Sequence, residues 1–157
     1  CKPPAVPRIV LHALIALLLL TGAARAAEPK IIKVLPHVLD VNGRHTVSPN
    51  LFERETYQAK LKANPDLQSG IRYDVHWRAN AAGEFVLKLE LLGRVEQGQI
   101  NRRTIETPVT GKRTGAKWSA LSFLGEDFKK FGPIVAWRVS LWQGDAMVAQ
   151  QQSFLWE

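Results

Sequence analysis

The chain reads as mostly β, with about seven short antiparallel strands in two facing sheets and one helix inserted after the first strand. Three observations predict this. Apolar and polar residues alternate with a period of two in "IRYDVHWRA" (71–79) and "EFVLKLELLG" (84–93), the mark of strands with one dry and one wet face. The stretch "WRVSLWQGDAMVAQQQSFLW" (137–156) holds three of the five tryptophans and has a Gly-Asp pair at its centre, which suits a two-residue hairpin turn. Only "SPNLFERETYQAKLKANP" (48–65) combines helix start and stop signals.

Residues 1–27 have the order of a secretory signal: Lys2 and Arg8, an apolar run from Ile9 to Leu20 broken only by His12, then small residues around Ala24 to Ala27. The run is about a dozen residues, short of the roughly 20 that span a bilayer, so a cleaved leader is expected rather than a stable membrane span. Cleavage leaves one domain, 28–157, and removes Lys2, Arg8 and Arg25. The formal net charge then falls from +7 to +4, a surplus too small to imply nucleic acid. It also removes Cys1, the one cysteine, so neither an internal disulfide nor a thiolate metal site is expected. The expected location is outside the inner membrane, in a periplasm or beyond it.

Along the domain, "KIIKVLPHVLDV" is β-branched and apolar, and a first strand is expected to kink at Pro36 and resume near Val38. In the helix, Ser48 or Asn50 can cap, Glu53 and Glu55 sit near the positive end, and Lys60 and Lys62 near the negative one. Asn64 and Pro65 stop it. At 100° per residue Phe52, Ala59 and Ala63 share one side while Tyr57 and Leu61 lie nearly opposite. Strands two and three are joined by "NAAG", a hairpin-length loop, so Ile71, Tyr73, Val75, Trp77, Phe85, Leu87, Leu89 and Leu91 face one core.

The polar stretch 94–117 holds one short strand, Arg103 to Val109, and a loop from Thr110 to Lys117. "WSALSFLG" resumes the alternation, and "EDFKKFG" is a single helical turn that dips Phe128 and Phe131 inward. In the final hairpin the Gly144-Asp145 turn pairs Trp142 with Met147, Leu141 with Val148 and Val135 with Phe154. One face then carries Val135, Trp137, Val139, Leu141, Val148 and Phe154, interrupted by Gln150 and Gln152. A bulge in the last strand exchanges the faces beyond it.

On the Trp-bearing strand "YDVHW", the helical turn "DFKKFG" and the closing Trp-rich hairpin, the chain resembles the immunoglobulin and fibronectin type III class of bacterial exported domains. The resemblance is one of pattern and runs over about 31–156. It implies an immunoglobulin-like sandwich that binds or spaces; fold alone carries no function.

Motifs for chemistry are sparse. Asp74 and His76 share a strand face about 7 Å apart, but zinc needs a third ligand, from His37 or His45, and Arg72 and Arg78 flank the pair. None of the serines lies in a nucleophile motif, and the adjacent Glu126 and Asp127 read as the cap of a turn. No enzyme and no cofactor is expected. A non-catalytic binding or adaptor module of the bacterial envelope fits best, with an envelope protein or anionic polysaccharide as partner. Its candidate contact residues are Tyr57 and Leu61 on the helix, the basic cluster Arg102, Arg103, Lys112, Arg113 and Lys117, and Trp142. One alternative is a carbohydrate-binding strip of Trp142 with Trp118 or Trp156, and another is a hydrolase or metal protein using Asp74 and His76.

Overall fold

The computed structural model describes residues 27–95 and 98–156. The leader reading therefore lies, except for Ala27, outside the described residues. Among the described residues the elements run β1 (Lys30–Asp40), α1 (Leu51–Ala63), a 3-10 turn (Pro65–Leu67), β2 (Gln68–Arg78), β3 (Gly83–Arg94), β4 (Ile100–Gly111), β5 (Lys117–Leu124), α2 (Gly125–Phe131), β6 (Ile134–Gln143) and β7 (Ala146–Gln152). Seven strands form two antiparallel sheets, ordered β1-β2-β5 and β4-β3-β6-β7. No helix among them is long and apolar enough to cross a membrane.

Alternation decides which face is dry. Tyr73, Val75 and Trp77 of β2, Leu121 and Phe123 of β5, Phe85, Leu87, Leu89 and Leu91 of β3, and Val139 and Leu141 of β6 join in one buried cluster that draws on both sheets. At about 25 cal/mol per Å2 of apolar surface removed from water, this layer is the main favourable contribution to folding. Trp77 tolerates full burial because its indole N–H donates to Ser119 Oγ at 2.9 Å. Phe128 and Phe131 of α2 stand edge-on to Phe123, so the expected helical turn is a seven-residue helix closing one end of the core, a second helix beyond the one anticipated.

Three expectations about strands are corrected. Pro36 does not break β1; the register shifts fall at Ile31/Lys33 and Leu39/Asp40. β1 is an edge strand of its sheet, and the Val38 N–H points off the free edge to Gln58 Oε1. Two residues earlier the Pro36 nitrogen faces the same way, where no ladder bond is lost. β4 runs the whole length of β3 rather than seven residues, because its register is fixed by pairs such as Lys88–Glu106 (3.0 Å), not by its own hydrophobicity.

In the final hairpin Trp142 does pair with Met147, but Leu141 pairs with Ala149. Val148 is thus the extra residue of a bulge, and the faces exchange beyond it. Ala149 and Gln151 turn inward, Gln150 and Gln152 outward. β7 stops at Gln152, where Ser153 N–H donates to Trp137 O and Ser153 Oγ accepts from Trp137 N–H, so Phe154 has no strand partner and is exposed. The tryptophans of this hairpin divide accordingly: Trp137 lies inward against Tyr73 and Trp142 lies on the outer face. Trp156 closes a small outer cluster with Leu92 and Ala136.

This register has a measurable consequence. The inward Gln151 leaves its Oε1 buried without a hydrogen-bond partner among the described residues. Gln151→Met should raise stability by about 1 kcal/mol in urea denaturation, since an orphaned acceptor is removed. Gln150→Met should change it by less than about 0.5 kcal/mol; the reverse order would mean that the bulge is absent.

Candidate functional site

The end of β1 is built around one carboxylate. Asp40 is 4% exposed, and its Oδ1 accepts the backbone N–H groups of Asn42 (2.8 Å) and Arg44 (2.9 Å). Its Oδ2 accepts Arg44 Nε (3.0 Å) and the Tyr57 hydroxyl (2.6 Å). Gly43, at φ +73, closes the turn that presents these donors, a conformation glycine adopts without strain. Burial pushes the Asp40 carboxyl up, but the bonds from Tyr57, Arg44 and Asn42 outweigh it and hold the group at about 2. The Tyr57 phenol is raised in return, chiefly because it donates to that anion.

Asn50, not Ser48, caps α1, accepting the Glu53 N–H at 3.3 Å. The helix lies on the edge of β1 through polar and apolar contacts together. Gln58 meets both backbone groups of Val38, at 2.9 and 2.8 Å, and the His45 carbonyl at 2.7 Å. Those bonds occupy a strand edge that would otherwise be open to pairing. Leu61 is 1% exposed. Of the two helix residues expected to meet a partner, Leu61 is therefore turned inward as the helix's main apolar anchor, while Tyr57 is half-buried, with its hydroxyl bound to Asp40.

The most exposed apolar residues of this segment lie in the loop before α1 and in its first turn. Phe52 is 75% exposed, Leu51 67% and Val47 58%. Val47 and Phe52 line a shallow cleft of about 290 Å3 with Glu53, Thr56, Tyr57 and Lys60. This ledge was missed because the inward and outward faces of a weakly amphipathic helix look alike in composition. A local clue existed in "DVNG" (40–43): Asp followed by Asn-Gly is a turn in which the aspartate side chain bonds backbone ahead of it.

Under the same loop a polar cluster sits on the outer face of β1 and β2. The His37 and His45 rings are 4.8 Å apart, and His37 Nε2 is 3.4 Å from Asp74 Oδ2. Arg72 bridges, reaching Asp74 Oδ2 at 2.9 Å and His45 Nδ1 at 3.3 Å. Burial is the main force lowering the His37 pKa; Asp74 opposes it, and His45, Arg72 and Arg54 add to it. Burial likewise leads for His45, followed by Arg72, with Asp74 opposing and Arg54 adding. So His37 does meet Asp74 and His45 stands beside His37, but Arg72 bonds both Asp74 and His45, and no group of three that could hold a metal forms among the described residues. His76 points elsewhere, stacked on Trp118 at 4.7 Å and 8°.

The basic cluster is not assembled either. At about 3.3 Å per residue, β4 puts Arg102 and Arg103 roughly 30 Å from Lys112 and Arg113. Arg102 lies over Trp156 and near Glu90, whereas Arg103 lies over Phe123 and near Asp127. Lys117 donates to Thr110 O, and Lys112 and Arg113 stand exposed on the loop after β4. The tryptophan strip fails for a similar reason. Trp118 belongs to the three-stranded sheet and Trp142 to the four-stranded one. Trp156 is buried beneath Arg138 and Arg102, and Trp142 is half-buried, with Lys88 over its ring and its indole N–H on Ser140 Oγ.

Asp40 should reveal itself in acid. Its folded pKa lies below the ordinary 3.8, so its contribution is complete above about pH 4 and is lost as pH falls toward 2. Asp40→Asn should cost about 2 kcal/mol at pH 7 in urea denaturation, through weakened charged hydrogen bonds. The gap from the parent protein should close between pH 4 and 2.

No protein-family model and no curated protein matches the chain. Among solved structures it is similar to a β-glucosidase from Kluyveromyces marxianus, at 11% identity and a TM-score of 0.38, over 80% of this chain and 14% of that one. A likeness that faint bears on neither the fold nor the activity.

Proposed function

We propose that this protein is an exported, non-catalytic binding or adaptor module of the bacterial cell envelope, with an immunoglobulin-like sandwich as its scaffold. The leader-like order of residues 1–27 supports export. The strand order supports the scaffold: the immunoglobulin-like plan puts its first, second and fifth strands in one sheet and its third, sixth and seventh in the other, as β1-β2-β5 and β3-β6-β7 do here, with β4 joining the second sheet.

The observation that carries the binding reading is the ledge of Val47, Leu51 and Phe52. Single exposed apolar residues are ordinary, but three in a span of six, beside a cleft and on a segment pinned by Asp40, Tyr57 and Gln58, make a pre-organised contact surface. A protein partner suits it better than a polysaccharide, since its exposed side chains are apolar.

Phe52→Asp is the test. Because Phe52 is exposed and touches no core, its loss should move stability by less than about 0.5 kcal/mol. In affinity capture from the native envelope, the parent should retain a defined protein that the variant loses. Recovery of the same proteins by both would sink the reading.

A further inference from the structure

We infer that His45, with His37, forms an acid-operated latch that holds the loop ahead of α1 on the three-stranded sheet when the imidazoles are neutral and releases it when they are protonated. The inference goes beyond the binding reading and does not depend on it.

Donor accounting at His45 carries the argument. Arg72 has only donors to offer, so the contact between its NH2 group and His45 Nδ1 at 3.3 Å requires a lone pair on that nitrogen. The cluster therefore specifies the neutral ring with its proton on Nε2. An imidazolium has no lone pair on either nitrogen, so protonation removes this bond and sets two cations face to face.

The surroundings compensate only in part. The groups facing the two rings are Arg72 and Asp74 from β2, Arg54 from α1 and each ring's partner, His37 on β1 or His45 on the loop. Asp74 is the one anion among them and already serves Arg72 at 2.9 Å. It can accept a proton-bearing His37 Nε2 at 3.4 Å, but its attraction for a charged His45, which it does not touch, is outweighed by burial and by Arg72. The depressed affinity of both rings for protons agrees with this geometry.

Release has a defined extent. The His45 carbonyl is bonded by Gln58, which also holds Val38, so movement of the loop loosens the middle of α1 and uncovers the β1 edge. The Asp40 carboxylate stays ionised to about pH 2 and keeps its hold on Tyr57 and the 41–44 turn. The opening is thus local, and the layer between the sheets is untouched.

The sign follows from linkage. The open state binds protons more readily than the closed one, so opening grows as pH falls through the ordinary histidine value of about 6.5. Backbone amide exchange at pH 7.5 and 5.0, corrected for intrinsic rates, should show residues 45–58 opening about tenfold more at the lower pH. Peptides from β3 and β6 should not change. His45→Asn places an amide oxygen where Nδ1 stands and cannot be protonated, so it should remain closed at both values. Unchanged exchange of 45–58 in the parent protein, or an equal response in His45→Asn, overturns the latch. Should the variant already be open at pH 7.5, NMR titration of the parent decides. The His45 imidazole and the opening must share a midpoint, and a gap of more than about one pH unit between them overturns the proposal.

Discussion

One constraint governs this molecule: Val75, Leu87, Leu89, Leu91, Val139 and Leu141, all 0% exposed, must share a dry layer between two sheets. A side-chain period of two makes that demand severe, because a slip of one residue in any strand would expose its whole apolar set. The pairings of β2 with β5 and of β3 with β4 run without a shift. Where shifts do occur, in β1, at the Leu92/Gly93 step and in β7, they lie at an edge strand or near the end of a pairing, where less of the layer is at stake. The bulge at Val148 fits this rule. It turns the short Ala149 and the long Gln151 inward and leaves two more glutamines on the wet face, at the cost of one orphaned amide oxygen.

The segment from Asp40 to Ala63 obeys different physics. Of its apolar side chains only Leu61 is fully buried, and the rest of its attachment is polar: one carboxylate with four donors, one glutamine with three partners, and the His37–His45–Arg72–Asp74 group. Hydrogen bonds are directional and depend on protonation state, whereas apolar burial is neither. A segment held in this way keeps a definite shape, yet its hold can be changed by pH without disturbing the core. Its titrating nodes also differ in what sets them: four donors hold Asp40 ionised to about pH 2, while burial lowers both imidazoles from their ordinary value.

How much of this was legible in the sequence follows the same division. Elements whose faces are set by apolar burial could be read directly: β2, β3, β5, β6 and the helix between Asn50 and Asn64 fall close to their expected places. β4 could be read only in its middle, Arg103 to Val109, because Asn101, Arg102 and Thr110 are strand residues only by virtue of what β3 offers them across the ladder. The site was least legible. Side chains distant in the chain, such as His45 and Arg72, meet through the path of a loop, and nothing in spacing or periodicity encodes that path. Leu61, expected to meet a partner, lies on the inner face of the helix for a related reason. It is the apolar side chain with which the chain anchors its own helix.

The same reasoning explains why the tryptophans, the most conspicuous feature of the chain, contribute more to the body than to a surface. Trp77 and Trp137 sit within or against the core, where each ring removes a large apolar area from water. Trp142 and Trp156 lie on the outer face of the four-stranded sheet, but Lys88 covers one and Arg102 and Arg138 cover the other, in contacts that join cation–π attraction to the ion pairs with Glu106 and Glu90. A ring so covered cannot stack on a ligand without displacing a cation held at both ends. Trp118 is the exposed exception, and one of its faces is taken by His76. The cations thus cover the two rings on the outer side of the four-stranded sheet, while the ledge at Val47, Leu51 and Phe52 is left uncovered on the segment whose attachment is largely polar.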